Sequence, residues 1–329
     1  MKRIEKKLPI TAQTLKPKTI LVIGDVMLDE FLWCKVDRIS PEAPVPICRV
    51  QETTRAPGGA GNVATNIQAL GSTAKLVGLI GRDIQARRLI AELGARGVST
   101  DYLIENKDHT TILKTRIIAH HQHVVRVDHE NNSPVSPNTE SQVLDLVRRE
   151  LASCQLVLIS DYQKGLISES LLTAIIAKAS EQKKRVVIDP KGEAYSKYEG
   201  AYLLTPNFSE FQRAVKKTLH TEQEIQEEGL KLIETLKLAA LVITRSEKGI
   251  TILTRSGEKK DIPAKAQEVF DITGAGDTAI SMLSIALAND LPLTQAAEMA
   301  NYAAGVVVGK MGTASATLAE IKTAMTHAN

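Results

Sequence analysis

The chain has 329 residues, with 41 Lys and Arg against 38 Asp and Glu, a net charge of +3, and 43% apolar residues. These values exclude a disordered chain, which needs low hydrophobicity with high net charge, and they argue against a dedicated nucleic-acid binder, which would show basic runs. The partner expected is a small molecule, on a chain long enough for one large α/β domain or two small ones.

Residues 1–19 are polar and basic, with no apolar stretch long enough for a signal-peptide core. The longest later apolar tracts, 278–288 and 303–308, fall well short of the roughly 18 residues of a membrane span. Cys34, Cys48 and Cys154 contain no C-x-x-C pair and cannot all be bridged, which suits free thiols in a reducing compartment. A soluble cytoplasmic protein that binds neither membrane nor nucleic acid is expected.

In chain order, Thr19-Ile-Leu-Val-Ile-Gly-Asp25 is a continuous apolar run closed by Gly and Asp, the pattern of a strand buried on both faces of a parallel sheet. Similar runs recur at 155–160, 185–189, 201–204 and 239–244. Helical spacing fills 62–70, 84–93, 139–151, 171–179 and 222–236. Such alternation predicts right-handed βαβ units and a mostly parallel, doubly covered sheet, so the fold class is α/β. Segments 31–50 and 110–129 break the alternation, being rich in Pro, Val, Ile and Thr, and predict a small separate sheet that would act as a lid. Residues 249–262 read as two short strands joined at Arg255-Ser-Gly257, followed by helices over 275–288 and 293–308. No internal repeat or low-complexity tract interrupts the chain.

Asp271-Ile-Thr-Gly-Ala-Gly-Asp277 stands directly before a predicted helix. Its glycines leave backbone N–H groups uncovered at a helix N-terminus, where phosphate oxygens bind. Asp277 could there act as a base for an attacking hydroxyl, or simply cap the helix. Gly58-Gly-Ala-Gly-Asn62 also opens a helix, and is read either as a close approach to a sugar, with Asn62 offering donor and acceptor, or as a flexible turn. Asn207-Phe-Ser-Glu210 suits either a hydrated Mg²⁺ or a capping box. His120, His121, His123 and His129 crowd one region, but no Cys or carboxylate spacing completes a zinc set. There is no G-x-x-x-x-G-K-[ST] and no H-R-D, which excludes a P-loop enzyme and a protein kinase. Gly24-Asp-Val-Met-Leu-Asp29 after the first strand is not G-x-G-x-x-G, which argues against a dinucleotide-binding oxidoreductase. An intact G-A-G-D argues against a non-catalytic sensor or scaffold.

These residues are recognisable. Gly58-Gly59-x-Gly61 and Asp271-x-Thr273-Gly-Ala-Gly-Asp277 resemble the two signatures of the ribokinase-like (PfkB-type) sugar kinases, in the right order over essentially the whole chain. Gly24–Asp29, Arg38–Pro46, Ser160-Asp-Tyr-Gln-Lys-Gly165, Asp189-Pro-Lys-Gly192 and Ala303–Ala314 resemble, more narrowly, the D-glycero-β-D-manno-heptose-7-phosphate kinases, found alone or as the first domain of a bifunctional ADP-heptose synthase.

The resemblance implies a three-layer α/β/α sandwich with a β-sheet lid, ATP and Mg²⁺ as cofactors, and transfer of the γ-phosphate to the anomeric hydroxyl of heptose 7-phosphate in making the lipopolysaccharide inner core. It implies Asp277 as base and the amides of Gly274, Ala275 and Gly276 as anion hole. Asp25, Asp29 and Asp161 would meet the sugar, with Gly58, Gly59 and Asn62 lining its pocket. Asn207 and Glu210 would organise Mg²⁺, through water, and the phosphates, while Thr244, Ser246, Gly249 and Asn301 would border the nucleotide. Lys164 and Lys191 each follow a parallel strand and should face the crevice, and Lys114, Arg116 and Arg126 alternate along the lid. Such a cationic cluster suits a substrate that already carries phosphate. A kinase for fructose 1-phosphate or tagatose 6-phosphate is the alternative. Relatives also imply a homodimer paired through the lid, which would cover sheet edges. The sequence is expected to be a single kinase domain over 1–329, with no nucleotidyltransferase domain. Ile272 and His123 depart from residues usual in such kinases, and His123 makes sugar contacts in the lid strand less secure.

Overall fold

A computed structural model describes residues 15–120, 122–131, 133–265, 269–310 and 312–327. At its centre lies β1 (Thr19–Gly24), buried from Ile20 onward. Successive side chains of a strand point to opposite faces, so Ile20 and Val22 enter one core while Leu21 and Ile23 enter the other. The same division holds along the sheet, which is why its strands read as unbroken apolar runs rather than alternating ones.

From β1 the chain passes through Asp25 into β2 (Val26–Ile39), returns as β3 (Pro46–Gly59), and runs without a loop into α1 (Ala60–Ala69). β4 (Thr73–Ile80), α2 (Ile84–Ala95) and β5 (Leu103–Glu105) follow, then β6 (Ile112–Ala119) and β7 (Gln122–His129). The second half comprises α3 (Pro137–Leu151), β8 (Leu156–Ser160), α4 (Glu169–Glu181), β9 (Arg185–Asp189), β10 (Leu203–Leu204), α5 (Phe208–Val215), α6 (Glu222–Thr235), β11 (Ala240–Thr244), β12 (Ile250–Thr254), β13 (Lys259–Ile262), α7 (Ala275–Ala288), α8 (Leu293–Val308) and α9 (Leu318–His327).

Nine strands form the main sheet in the order β13-β12-β11-β10-β9-β8-β1-β4-β5. All neighbours pair in parallel except β11–β12 and β12–β13, the hairpin that turns at Arg255-Ser-Gly257. Helices α1, α2, α7, α8 and α9 contribute to one apolar cluster, and α3, α4, α5 and α6 to the other. A separate four-stranded sheet, β3-β2-β6-β7, forms the lid.

The expected α/β class, the parallel sheet and the separate lid are present. One expectation needs correction, and three elements were not anticipated. The lid strands are longer than 31–50: β2 begins at Val26 inside the core and β3 ends at Gly59. β4 and β5 are strands that the spacing of apolar residues does not announce. A further helix, α9, packs its Ile321 into the first cluster.

Candidate active site

Register aligns the site. Gly24 pairs with Ser160, and Ser160 with Asp189, so the carboxyl ends of β1, β8 and β9 form one row across the sheet. Ligands bind beyond that edge in open parallel sheets. Facing it is the turn before α7, where Gly274 takes a left-handed conformation (φ 81°) as the residue before the helix. The amides of Gly274, Gly276 and Asp277 have no backbone acceptor among the described residues, whereas Ala275 donates to the carbonyl of Ile272 at 3.2 Å. Of the expected anion hole of Gly274, Ala275 and Gly276, the middle amide is thus engaged within the turn, and the other two have no backbone acceptor among the described residues.

Asp277 is buried, and each of its oxygens has a donor. The Asn62 side-chain nitrogen donates to Oδ2 at 2.7 Å and the Tyr162 hydroxyl to Oδ1 at 3.0 Å. Burial pushes the Asp277 carboxyl up to about 6, against these two hydrogen bonds and the nearby Lys191 charge, which pull it down. Asn62 was expected to face a sugar. Its side-chain nitrogen donates to Asp277, while its Oδ1 accepts from Asn66 at 3.3 Å.

The glycines of β3 stand where a side chain would collide with the neighbouring strand. A Cβ on Gly58 would lie 2.5 Å from Oδ2 of Asp29, and one on Gly59, whose φ is +56°, would lie 2.4 Å from the carbonyl of Asp25. Asp29 itself accepts from Arg116 at 2.6 Å. Asp25, expected to hold sugar hydroxyls, accepts from the backbone amides of Tyr162 at 2.9 Å, Lys164 at 3.0 Å and Leu166 at 3.4 Å. Burial pushes its carboxyl up to about 6 although these amides oppose the shift. Asp25 thus shapes the 162–166 loop. Asp161, expected to meet the sugar, is fully buried and bonded to Lys197, to the Tyr198 hydroxyl and to the amide of Gln163.

On the other side of Asp277, a cleft is lined by Tyr162, Asp189, Lys191, Asn207, Glu210 and Thr244 together with Gly274 and Gly276. Asn207 and Glu210 form a reciprocal capping box on α5, each side chain bonding the other's backbone amide. Glu210 also pairs with Lys191. These contacts begin a helix and fix a lysine, and so hold the expected metal pair in place at the edge of the cleft. The carboxylate that the sequence reading missed is Asp189. Burial pushes it up to about 8, opposed by Lys191 and reinforced by Asp277, Glu210 and Asp161. Lys191, although burial pulls its pKa down, is held above the ordinary ammonium value by Asp189 and Glu210.

At the cleft's far end the expected nucleotide-bordering residues divide. Thr244 lines the cleft. Ser246 is exposed on a short turn, Gly249 (φ 85°) packs against Ile262 and Ala264, and Asn301 donates to the carbonyl of Pro263 at 2.7 Å. The last two hold the segment after β13.

The expected cationic cluster also divides. Lys191 belongs to the cleft, whereas Lys164 pairs with Glu130 at 2.6 Å and Lys114 with Glu130 at 3.1 Å and Asp128 at 3.0 Å. Arg126 sits on β7 opposite Arg116 rather than on the same strand, and pairs with Asp128 at 2.9 Å. Every one of these cations has a carboxylate partner, so none is idle without a ligand. His123 and His129 lie on the exposed β7, and His121 lies outside the described residues. Among the described residues, no three His, Cys, Asp or Glu side chains group as a metal cage, and no helix is long and apolar enough to cross a membrane.

The description "pfkB family carbohydrate kinase" matches residues 17–320. The chain belongs to this family. It is 44% identical over 301 residues to the bifunctional protein HldE of Geobacter metallireducens, covering 92% of this chain and 61% of that protein. It is likewise 44% identical over 306 residues to bifunctional protein HldE of Hahella chejuensis, covering 93% and 63%. The chain thus spans about three-fifths of the length of these relatives. A structure of Arabidopsis thaliana ribokinase complexed with ribose and ATP superposes with a TM-score of 0.76 at 17% identity, over 94% of this chain and 99% of that one. Phosphofructokinase-2 from Escherichia coli in complex with fructose-6-phosphate gives 0.78 at 17% identity, over 95% and 99%. These likenesses show the ribokinase-like fold. As a pfkB kinase, the chain is a phosphotransferase acting on a sugar hydroxyl.

Proposed function

We propose that this kinase transfers the γ-phosphoryl group of ATP to the anomeric hydroxyl of D-glycero-β-D-manno-heptose 7-phosphate, giving the 1,7-bisphosphate that leads to ADP-heptose and the lipopolysaccharide inner core. The observation that carries the chemistry is the buried Asp277 carboxylate set beside unpaired amides at the start of α7. In this reading Asp277 takes the proton of the attacking hydroxyl, and the amides of Gly274, Gly276 and Asp277 hold the charge of the phosphoryl group in transit. Support for the heptose comes from the relatives named HldE and from the Ser160–Gly165 and Asp189–Gly192 segments.

The cleft beside Asp277 suits ATP and Mg²⁺ by its donor groups: the carboxyl oxygens of Asp189, Glu210 and Asp277 line it for the ion, and the Lys191 ammonium for phosphate. Mg²⁺ takes oxygen ligands, keeps several waters and needs only one or two carboxylates alongside phosphates. Asp189 would hold it, with Glu210 and Asn207 acting through water. When bound, the ion neutralises charge on the triphosphate. Lys191 would meet the phosphates from the protein side.

The sugar would lie between Asp277 and the lid, near Asp29 and Arg116. Lys164 and Lys114, which converge on Glu130, would receive its distal phosphate. Apolar side chains exposed on and beside the lid, among them Ile39, Val45, Val50, Val125 and Val127, support a homodimer paired through it. Cytoplasmic function follows from its substrates. A panel of phosphosugars read by ADP release tests the assignment. Heptose 7-phosphate should give the highest kcat/KM, and preference for fructose 1-phosphate or tagatose 6-phosphate would replace the heptose with that sugar.

A further inference from the structure

Tyr162 is the one side chain on Asp277 that the sequence reading passed over, although it lies in the Ser160–Gly165 segment. Its hydroxyl donates to Oδ1 at 3.0 Å, within the range that a general base needs toward the hydroxyl it deprotonates. An alcohol O–H therefore already sits on the base. We infer that Tyr162 is the positioning residue of this site: its hydroxyl holds the Asp277 carboxylate and occupies it until a sugar hydroxyl replaces it, so that water is not activated in the empty enzyme. The inference rests on Asp277 being the base.

The two donors on Asp277 differ in a way that makes Tyr162 the exchangeable one. Asn62 is buried in α1 and locked further by Asn66. The Tyr162 hydroxyl has no second hydrogen-bond partner among the described residues, and the side chain lines the cleft. Its backbone is pinned by Asp25, and two residues on Lys164 reaches Glu130, the residue after β7. A ligand that engages Lys164 on the lid side thus acts on the loop that carries the guard.

The test is Tyr162→Phe, which keeps the ring over which the Lys191 ammonium sits at 5.5 Å. It is compared with wild type and Asp277→Asn, using the best acceptor from the sugar panel. Loss of a donor to a carboxylate raises its pKa, so the acidic limb of kcat/KM should move up by about half a pH unit or more. Sugar-independent ATP hydrolysis relative to transfer should rise about tenfold, the order of one hydrogen bond to a charged group. KM for ATP should stay within about threefold, since the ring that lines the cleft is kept and only its hydroxyl is removed. An unchanged limb and an unchanged ratio overturn the inference, even where kcat alone falls. If Asp277→Asn keeps full transfer, the base assignment itself fails. If that variant is inactive while Tyr162→Phe keeps the wild-type limb and ratio, only the role given to Tyr162 fails.

Discussion

The side-chain nitrogen of Asn62 donates to Oδ2 of Asp277 at 2.7 Å, joining residues 215 positions apart in the sequence. One comes from the first turn of α1 and the other from the first turn of α7, so this contact ties the two glycine-rich segments into one site. Replacing Asn62 by Ala removes a hydrogen bond to a buried charge, worth about 1.5–3 kcal/mol. The expected result is a stability loss of that order by denaturant titration and a fall in kcat of about 10- to 100-fold, because the base is no longer fixed. Asn62→Asp should be worse at neutral pH, since two adjacent carboxylates cannot both ionise cheaply.

Activity and stability should respond to pH in opposite directions at Asp277. With Asp277 as the proposed base, transfer needs its ionised form, so kcat/KM should fall below pH 6, where burial has placed the Asp277 carboxyl. For stability, the folded-state pKa of about 6 lies above the ordinary value of 3.8, so between them the folded state binds the proton more tightly. This contribution is therefore fully present below about pH 4 and is lost as pH rises through 6. Asp277→Asn removes the buried charge. It should raise Tm at pH 8 relative to wild type, by up to about 3 kcal/mol of stability, with the gain shrinking toward pH 4. Transfer should drop about 10²- to 10⁴-fold. A thermal melt series across this range, beside a pH–rate profile, checks both signs.

Gly276 and Gly59 should separate a glycine kept for the ligand from one kept for the fold. A Cβ at Gly276 meets nothing within 4 Å, and its φ is not positive. Gly276→Ala should therefore fold with stability within about 0.5 kcal/mol of wild type or above it, helix propensity favouring Ala. Yet the methyl would stand among the free amides before α7, and kcat should fall about tenfold or more through lost phosphoryl positioning. Gly59→Ala combines φ +56° with a clash at 2.4 Å against the Asp25 carbonyl, and should cost about 2 kcal/mol or more. Paired kcat and urea-midpoint measurements distinguish the two.

What the sequence made legible follows from which interactions are local. The runs at 19–24, 156–160 and 185–189 are apolar on both faces, and G-A-G-D marks its own helix start, so the sheet centre and the glycine turn before α7 could be read directly. β4 (TAKLVGLI) escaped because it fills a gap between two helical patterns and begins with polar alternation. The role of Asp25 was illegible for a different reason. Its partners are three backbone amides of a loop 137 to 141 residues away, and an amide carries no residue-specific signal. Lys164 and Lys191 occupy equivalent places after parallel strands, yet the structure sends one to Glu130 and the other to Glu210. Sequence position gives the junction but not the direction of a four-carbon side chain. Tyr162 was visible as part of a segment but not as a partner of Asp277, since 115 residues separate them.

The divergence of the two lysines gives a last test. If the phosphosugar's distal phosphate lies by the lid, Lys164→Ala should raise KM for the phosphosugar about tenfold or more, leave KM for ATP nearly unchanged, and weaken the preference for phosphorylated over plain sugar. A charge-assisted phosphate contact of this kind is worth about 1.5–3 kcal/mol. Lys191→Ala should behave otherwise. It removes the ammonium that offsets Asp189 and Glu210 in the cleft, so kcat should fall and KM for ATP should rise while KM for the phosphosugar changes little. Loss of that ammonium also leaves Asp277 without a cation that lowers its pKa, so the acidic limb of kcat/KM should move to higher pH in Lys191→Ala and stay in place in Lys164→Ala. Steady-state kinetics with each substrate varied in turn, at three or more pH values, resolves the pair. Equal effects of the two substitutions on both substrates would place the lysines in a common site and remove the division between a lid-side and a nucleotide-side cation.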